Sequence, residues 1–448
     1  MPYSAICRRS VARRLAATCA VVFALAMPAL LGGCAAKYSS VATAPAPLQA
    51  APAVAPPQAI EPAAPSAATG DQVHVALLLP LSGPNAGIGR AMLDAAQIAL
   101  FDIADEHFVL LPRDTEGTPE GAGRAATAAI ADHAELILGP LLAGEVEAVK
   151  PLARQAGISM VAFSTADQLA GDGTFLLSFP PRPSVNRVVA FARERGAMRF
   201  AALAPATPYG QLVVESLRAA ANSVGASVVQ TETYEPGATD YRPVVRRLAS
   251  FDERRAALAR TRAQLSAAGD EASRQALQRL AGSETAGDLG FDAVLLPDGD
   301  GQLKAVASLL PYFDIDPGKV RFLGTGLWDE PGLGTEPALV GGWFAAPPPA
   351  PRAEFERRFR ELYNQAPPRL ATLGYDATAL AAILARKPRS IAFTPESLAD
   401  PSGFSGVDGI FRFRPDGLVE RGLAVLEIDR TGSRIVSPAP ESFEAPAT

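Results

Sequence analysis

Short apolar segments alternate with amphipathic segments from Val73 onward. The apolar runs predict four strands: Val73–Leu79, Phe108–Leu111, Glu135–Leu138 and Ser159–Phe163. The segments between them repeat apolar residues at helical spacing and predict three helices: Ile88–Ile103, Glu120–Ala131 and Glu145–Gln155. Apolar strands that alternate with helices indicate a parallel sheet covered on both faces.

The alternation restarts near residue 200. It predicts a second set of strands, Phe200–Leu203, Ser227–Thr233, Ala293–Leu296 and Arg321–Leu323, followed by Ile410–Phe413 and Ala424–Ile428 near the end. The helices predicted in this half are Tyr209–Ala221, Gln302–Leu310, Glu354–Tyr363 and Tyr375–Leu384. Two doubly wound α/β halves joined by crossovers place a cleft at the carboxyl ends of their strands.

The segment 251–284 departs from this alternation. It is rich in Arg, Ala, Gln and Glu with sparse leucines, and Gly269-Asp270 suits the turn of a helical hairpin. Charged helices of this kind are usually solvated faces, so a solvated helical insertion is the first interpretation. A docking surface for a partner protein is the second.

Residues 1–33 have the order of an export signal, which is a cationic start, an apolar run and small residues. Leu31-Gly32-Gly33-Cys34 resembles the bacterial lipobox, which implies removal of residues 1–33 and lipid attachment at Cys34. An uncleaved transmembrane helix is the alternative, since the apolar run is just long enough. Ala35 after the cysteine implies sorting to the periplasmic face of the outer membrane.

Residues 34–71 are rich in Ala and Pro, with almost no charge and no period. Such a segment cannot bury a core and predicts a semi-rigid tether that spans roughly 100 Å when extended. The whole chain carries a net charge of −6, and the leader removes four arginines and no acid. A more negative mature chain argues against nucleic acid as a partner, so membrane attachment is expected through the lipid alone.

Three motifs resemble the branched-chain amino acid binding proteins: Pro80-Leu81-Ser82-Gly83-Pro84, Tyr209-Gly210, and the run from Gly409 to Gly417. The resemblance implies an α/β, two-lobed type I periplasmic-binding-protein fold, with two doubly wound parallel sheets joined by three hinge crossovers. We expect lobe 1 to comprise residues 72–182 and 330–408, and lobe 2 to comprise residues 183–329 and 409–435. Residues 436–448 would form a tail.

A narrower motif, Leu138-Gly139-Pro140-Leu141-Leu142, resembles the penicillin-binding-protein activators, which are outer-membrane lipoproteins that stimulate peptidoglycan synthases. This resemblance implies a non-enzymatic, lipid-anchored regulator whose partner is a penicillin-binding protein. The alternative is a solute-binding lipoprotein that delivers an amino-acid-like ligand to an ABC importer.

The positions expected to contact a cleft ligand are Ser82, Leu141, Leu142, Ser164, Thr165, Tyr209 and Trp328. The amino-acid binders hold the ligand carboxylate with hydroxyls and backbone N–H groups after the third and fourth strands. This chain keeps Ser164 and Thr165 after the fourth strand but has Leu141 and Leu142 after the third, which weakens the case for amino-acid binding. The serine and threonine could equally cap a helix, and Trp328 could equally pack in a core.

No pattern of catalytic or metal-binding residues stands out. The three histidines, His74, His107 and His133, have no zinc-type spacing, and no Gly-x-Ser-x-Gly elbow or phosphate loop occurs. We therefore expect no enzyme activity, no cofactor and no metal, and a possible small ligand in the cleft.

Overall fold

The computed structural model describes residues 72–443, and the signal peptide, Cys34 and the tether lie outside this range. Its first sheet has five parallel strands in the order β2-β1-β3-β4-β5. Their bounds are β1 Val73–Leu79, β2 Phe108–Asp114, β3 Leu136–Leu138, β4 Ser159–Ala162 and β5 Thr174–Leu176. No helix in the described range is long and apolar enough to span a membrane.

Helices cover both faces of the first sheet. They are α1 (Ala86–Ile103), α2 (Pro119–Ala131) and α3 (Ala143–Ala156). Alternate residues of β1 point to opposite faces, so Leu77 packs in a core with α1, whereas Leu78 packs in a core with α2 and α3. This two-sided burial explains why β1 is an almost unbroken apolar run.

The second sheet has seven strands in the order β15-β14-β10-β9-β8-β6-β7. Their bounds are β6 Arg199–Pro205, β7 Ser227–Tyr234, β8 Ala293–Leu295, β9 Arg321–Gly324, β10 Trp343–Ala346, β14 Ala424–Ile428 and β15 Ser433–Ser437. Helices α4 (Pro181–Glu194) and α5 (Pro208–Ser223) pack on one face, and α6 (Arg242–Leu248) and α9 (Asp300–Ala307) pack on the other.

Residues 251–280 form a helical hairpin of α7 (Phe251–Ala268) and α8 (Glu271–Leu280). The chain turns at Gly269, whose φ of +64° is readily adopted by glycine, and the Asp270 carboxylate accepts the Ser273 N–H at 2.7 Å to cap α8. Only Phe251 and Leu258 are buried on α7. The predicted helical insertion is therefore present, and it presents most of its surface to solvent.

The last third of the chain returns to the first lobe and then leaves it again. Helices α10 (Pro349–Tyr363), α11 (Ala371–Ala385) and α12 (Pro395–Leu398) precede a separate three-stranded antiparallel sheet of β11 (Phe404–Gly406), β12 (Gly409–Phe413) and β13 (Val419–Arg421). Phe355 of α10 and Leu380 of α11 pack in clusters that also contain residues of α1. The chain thus passes between the lobes at residues 177–180, 347–348 and 422–423.

These passages differ from the boundaries expected from the sequence at residues 330 and 409. Strand β10 belongs to the second sheet, pairing with β9 and β14, so the chain leaves that lobe only after Ala346. Phe411 and Phe413 of β12 pack in the core of the first lobe. Trp343–Ala346 is a four-residue apolar run, which is too short for its period to assign it to a strand or to a lobe.

Candidate ligand-binding cleft

A cavity of about 340 Å³ lies where the three crossovers meet between the lobes. The first lobe contributes Phe163 and Thr165 after β4, and the second contributes Tyr209 of α5 and Leu327 after β9. The volume is at the lower end of the range for small-molecule sites. A ligand here would contact both lobes and the hinge at once.

The wall of the cavity is mostly apolar. Its aromatic, proline and aliphatic members come from both lobes and from all three crossovers: Phe163, Phe179, Pro180, Pro181, Pro183, Leu327, Pro347, Leu370, Leu373 and Leu423. Such a wall favours a ligand with an apolar body, because burial of its surface would release water from both partners.

Two of the three charged side chains on the wall already have ionic partners. Asp329 forms a bidentate ion pair with Arg352, and the side chains of both residues are largely buried. Arg369 forms a bidentate pair with the fully buried Asp408 at 2.7 and 3.1 Å. These carboxylates are therefore occupied by the protein's own cations.

The third charged side chain on the wall, Arg421, is only 7% exposed. Its Nε donates to the Ser178 carbonyl at 2.9 Å, but Nη1 and Nη2 have no hydrogen-bond partner among the described residues. The Phe179 ring lies 4.5 Å from its guanidinium carbon and 4.0 Å from that of Arg369. Burial lowers the pKa of Arg421, while the negative charges of Asp408 and Asp376 act in the opposite direction.

Asp376 of α11 completes this buried group of charges. Its Oδ1 accepts the Val407 N–H at 2.7 Å, and its Oδ2 has no partner among the described residues. Burial, together with the neighbouring Asp408 carboxylate, raises the pKa of Asp376 to about 7. The charge of the group beside the cavity therefore changes near neutral pH.

A family model described as periplasmic binding protein matches residues 72–433, which is most of the chain. The chain belongs to the periplasmic binding protein family. Its two-lobed α/β architecture is the type I fold predicted from the sequence, although the second sheet is parallel only from β7 to β10 and ends in the antiparallel strands β14 and β15. Membership of the family implies a periplasmic location.

The individual relatives have low sequence identity to this chain and match only part of it. A Leu/Ile/Val-binding protein of Rhizobium johnstonii is 26% identical over 189 residues, which are 40% of this chain and 52% of that protein. The chain spans about half the length of the curated relatives it matches.

Two solved structures illustrate the fold. A branched-chain amino acid ABC transporter periplasmic ligand-binding protein of Burkholderia xenovorans has a TM-score of 0.59 at 16% identity, covering 84% of this chain and 97% of that one. An ABC transporter solute-binding protein of Rhodopseudomonas palustris, in complex with 3,4-dihydroxybenzoic acid, has a TM-score of 0.54 at 17% identity, covering 84% and 98%. At these identities the likeness concerns the fold.

Two of the residues predicted from the sequence to contact a ligand line the cavity of this periplasmic binding protein. Thr165 is exposed after β4, and Tyr209 lies in the first turn of α5. The Tyr209 hydroxyl is 2.9 Å from Thr325 Oγ1, and burial raises its pKa. The Thr165 and Tyr209 hydroxyls thus lie on a wall that is otherwise mostly apolar.

Three other predicted residues do not line the cavity. Ser82 follows β1, where its N–H donates to Asp114, and the buried Ser164 hydroxyl accepts the Ala166 N–H, which is a local turn contact. Trp328 is 1% exposed in the core of the second lobe, where its indole N–H donates to the Leu296 carbonyl at 3.1 Å. Of its two interpretations, the structure supports core packing.

Leu141 and Leu142 lie between β3 and α3 and also stay off the cavity wall. The Leu142 N–H donates to the buried Glu145 carboxylate at 2.9 Å, and the Thr115 hydroxyl donates to the same carboxylate. Glu145 lies in the first turn of α3, so the protein's own anion occupies the positive end of that helix. A ligand carboxylate would have to compete with it.

Arg369 and Arg421 are not among the residues predicted from the sequence. The sequence offers one signal for Arg421, because it stands two residues after the apolar Val419 and would share its face in a strand. In the structure both residues are buried. The proximity of Arg421 to Asp376, Asp408 and Phe179 depends on how three distant segments pack, which spacing along the chain does not reveal.

Proposed function

We propose that this protein binds a small solute in the cavity between its lobes and acts as the solute-binding component of an ABC importer. The supporting observation is that both lobes and all three crossovers contribute to one wall. A ligand that contacts both lobes binds the closed arrangement better than the open one, so it favours closure around itself. A transporter can recognise such a change.

The chemistry of the cavity favours an apolar solute over a free amino acid. Among the described residues the wall has one acid, Asp329, which is already paired with Arg352, so a ligand ammonium group would lack a carboxylate. Among the relatives, one is named for Leu, Ile and Val, and another contains 3,4-dihydroxybenzoic acid. Both kinds of solute thus occur with this fold, and the mostly apolar wall of this cavity, whose acid is already paired, favours a solute without an ammonium group.

The test is a thermal-shift panel of amino acids, aliphatic acids, aromatic acids and sugars, measured on the purified protein. Leu327 is 45% exposed on the cavity wall, so Leu327→Trp should fill the cavity at little expense to folding. Leu362 of α10 is 58% exposed and does not line the cavity, so Leu362→Trp is the matched control.

We expect at least one compound to raise the melting temperature of the native protein and of Leu362→Trp, because a ligand that binds only the folded state stabilises it. The same compound should have little effect on Leu327→Trp. A panel that leaves the melting temperature unchanged throughout would refute solute binding. A shift that survives in Leu327→Trp would place the ligand elsewhere.

A second candidate is the lipid-anchored activator of a peptidoglycan synthase that the Leu138–Leu142 motif suggested. The observation in its favour is the hairpin of α7 and α8, which exposes charged residues over two helices whose only buried members are Phe251, Leu258 and Ser273. Lipid at Cys34 and a tether of roughly 100 Å would carry this hairpin toward a penicillin-binding protein, and tethering raises the local concentration of a weak partner.

This candidate is tested by the rate of glycan polymerisation by a penicillin-binding protein of the same organism, with and without the protein. Stimulation that disappears when residues 251–284 are replaced by a short Gly-Ser turn would support the activator and its docking surface. Unchanged synthesis, with no crosslinked complex, would eliminate it.

A further inference from the structure

The guanidinium of Arg421 is a buried cation with unused hydrogen-bond donors. Nη1 and Nη2 carry four N–H groups, and none has an acceptor among the described residues. Burying a charged donor without an acceptor is destabilising, so native proteins rarely retain one without a compensating role. Because Arg421 lies on the wall of the cavity, an acceptor group of a bound ligand would satisfy these donors.

The nearby acids do not supply the missing acceptors. Asp408 directs both oxygens at Arg369, and Asp376 directs Oδ1 at the Val407 N–H. These carboxylates lower the energy of the Arg421 cation through space, but neither makes a hydrogen bond with it in the described structure. The aromatic ring of Phe179 lies over the guanidinium, with its centroid 4.5 Å from the guanidinium carbon, and offers a cation–π contact but no hydrogen-bond acceptor of the carboxylate kind.

We propose that Arg421 binds the carboxylate of the cavity ligand, and that the ligand is a small monocarboxylic acid with an apolar body. This inference rests on the proposed solute-binding function and specifies its ligand. A carboxylate matches the fork of a guanidinium and would satisfy Nη1 and Nη2 together. The apolar body would lie against Phe163, Phe179, Leu327 and Leu423.

The same arrangement disfavours zwitterions. An amino acid would bring its ammonium group into a cavity whose one acid, Asp329, is held by Arg352. Desolvating that group without a partner would oppose binding. The ligand anion is thus expected to bind at the hinge, where Arg421 ends β13 beside the third crossover. This place differs from the amino-terminal end of α3, which Glu145 already occupies.

The test compares benzoate with benzamide by calorimetry on the purified protein. The two molecules share one apolar ring and differ in charge, so their affinity ratio reports on the anion site. We expect benzoate to bind at least about tenfold more tightly than benzamide, as a charge-assisted bidentate contact implies. Arg421→Met should remove that preference, and Arg421→Lys should keep part of it.

Arg182→Met is the matched control. Arg182 is exposed and lines a neighbouring groove without lining the cavity, so this variant removes the same charge and should leave the preference for benzoate unchanged. If Arg421→Met fails to fold, the ratio of benzoate to benzamide in the native protein still decides the matter.

Equal binding of the two compounds, or a preference that persists in Arg421→Met, would overturn the carboxylate site. If a compound in the wider panel still raised the melting temperature of the native protein but not of Leu327→Trp, the cavity would bind a solute without a carboxylate site at Arg421. If neither benzoate nor any panel compound bound, both proposals would fail.

Discussion

Asp376→Asn should change how the stability of this protein depends on pH. Asp376 is 1% exposed, and burial beside Asp408 raises its pKa from 3.8 to about 7. Between these two pKa values the folded state retains a proton that the unfolded chain has released. The folded state therefore binds more protons, and its stability falls as the pH rises through that window.

The size of the effect follows from the two pKa values. One pKa unit corresponds to about 1.4 kcal/mol, so the full shift represents on the order of 4 kcal/mol. Part of this stabilisation is already lost by pH 5. The free energy of unfolding is therefore expected to fall by about 2–3 kcal/mol between pH 5 and pH 8. Asparagine keeps the size of the side chain and can still accept the Val407 N–H, but it does not ionise.

The assay is urea-induced unfolding of the native protein and of Asp376→Asn at about pH 5 and pH 8. Groups far from Asp376 titrate equally in both proteins, so the difference between the two pH-dependent changes reports on Asp376 and the charges that it contacts. We expect the variant to lose about 2–3 kcal/mol less than the native protein. Glu441→Gln, at an exposed acid, should lose as much as the native protein does. Equal losses in Asp376→Asn and the native protein would refute the raised pKa.

Cys34→Ala should leave an unprocessed or mislocalised precursor, which fractionation and immunoblotting would show; normal size and outer-membrane fractionation would contradict the lipid anchor. Trp328→Ala should lower the free energy of unfolding by about 3–5 kcal/mol, because it leaves a cavity in the core and removes the hydrogen bond from the indole N–H to the Leu296 carbonyl. Gly374→Ala should also destabilise the protein in urea unfolding, since a Cβ there would lie 2.3 Å from the Met92 carbonyl oxygen, where α1 and α11 pack; unchanged stability would contradict that close packing.

Much of the fold could be predicted from the periodicity of the sequence. Val73–Leu79 was predicted to the residue, because a strand buried on both faces is an apolar run bounded by polar turns. The hairpin turn at Gly269 was also predicted, from glycine and aspartate between two charged segments. The passages between lobes were not predicted. Strand β10 is short and pairs with β14, which is distant in sequence, and β12 pairs only with its neighbours β11 and β13, so its pairing does not reveal that it packs in the first lobe.

Fewer of the residues of the cleft could be predicted from the sequence. Thr165 and Tyr209 could be predicted because they lie within a few residues of the carboxyl ends of β4 and β6, and the carboxyl ends of strands face the cleft. Arg421 was missed because its importance comes from what surrounds it, namely a buried site with two acids and an aromatic ring from other segments. A single arginine in a short strand carries no such information.

We expect the cavity to accept an apolar acid and to reject the corresponding amino acid. Calorimetric titration of the purified protein with isocaproate and with leucine separates the two outcomes, because isocaproate is leucine without its ammonium group. The structure predicts that isocaproate binds at least about tenfold more tightly, since Arg421 can take the carboxylate and no free acid on the wall can take the ammonium. Micromolar binding of leucine together with weak binding of isocaproate would contradict it.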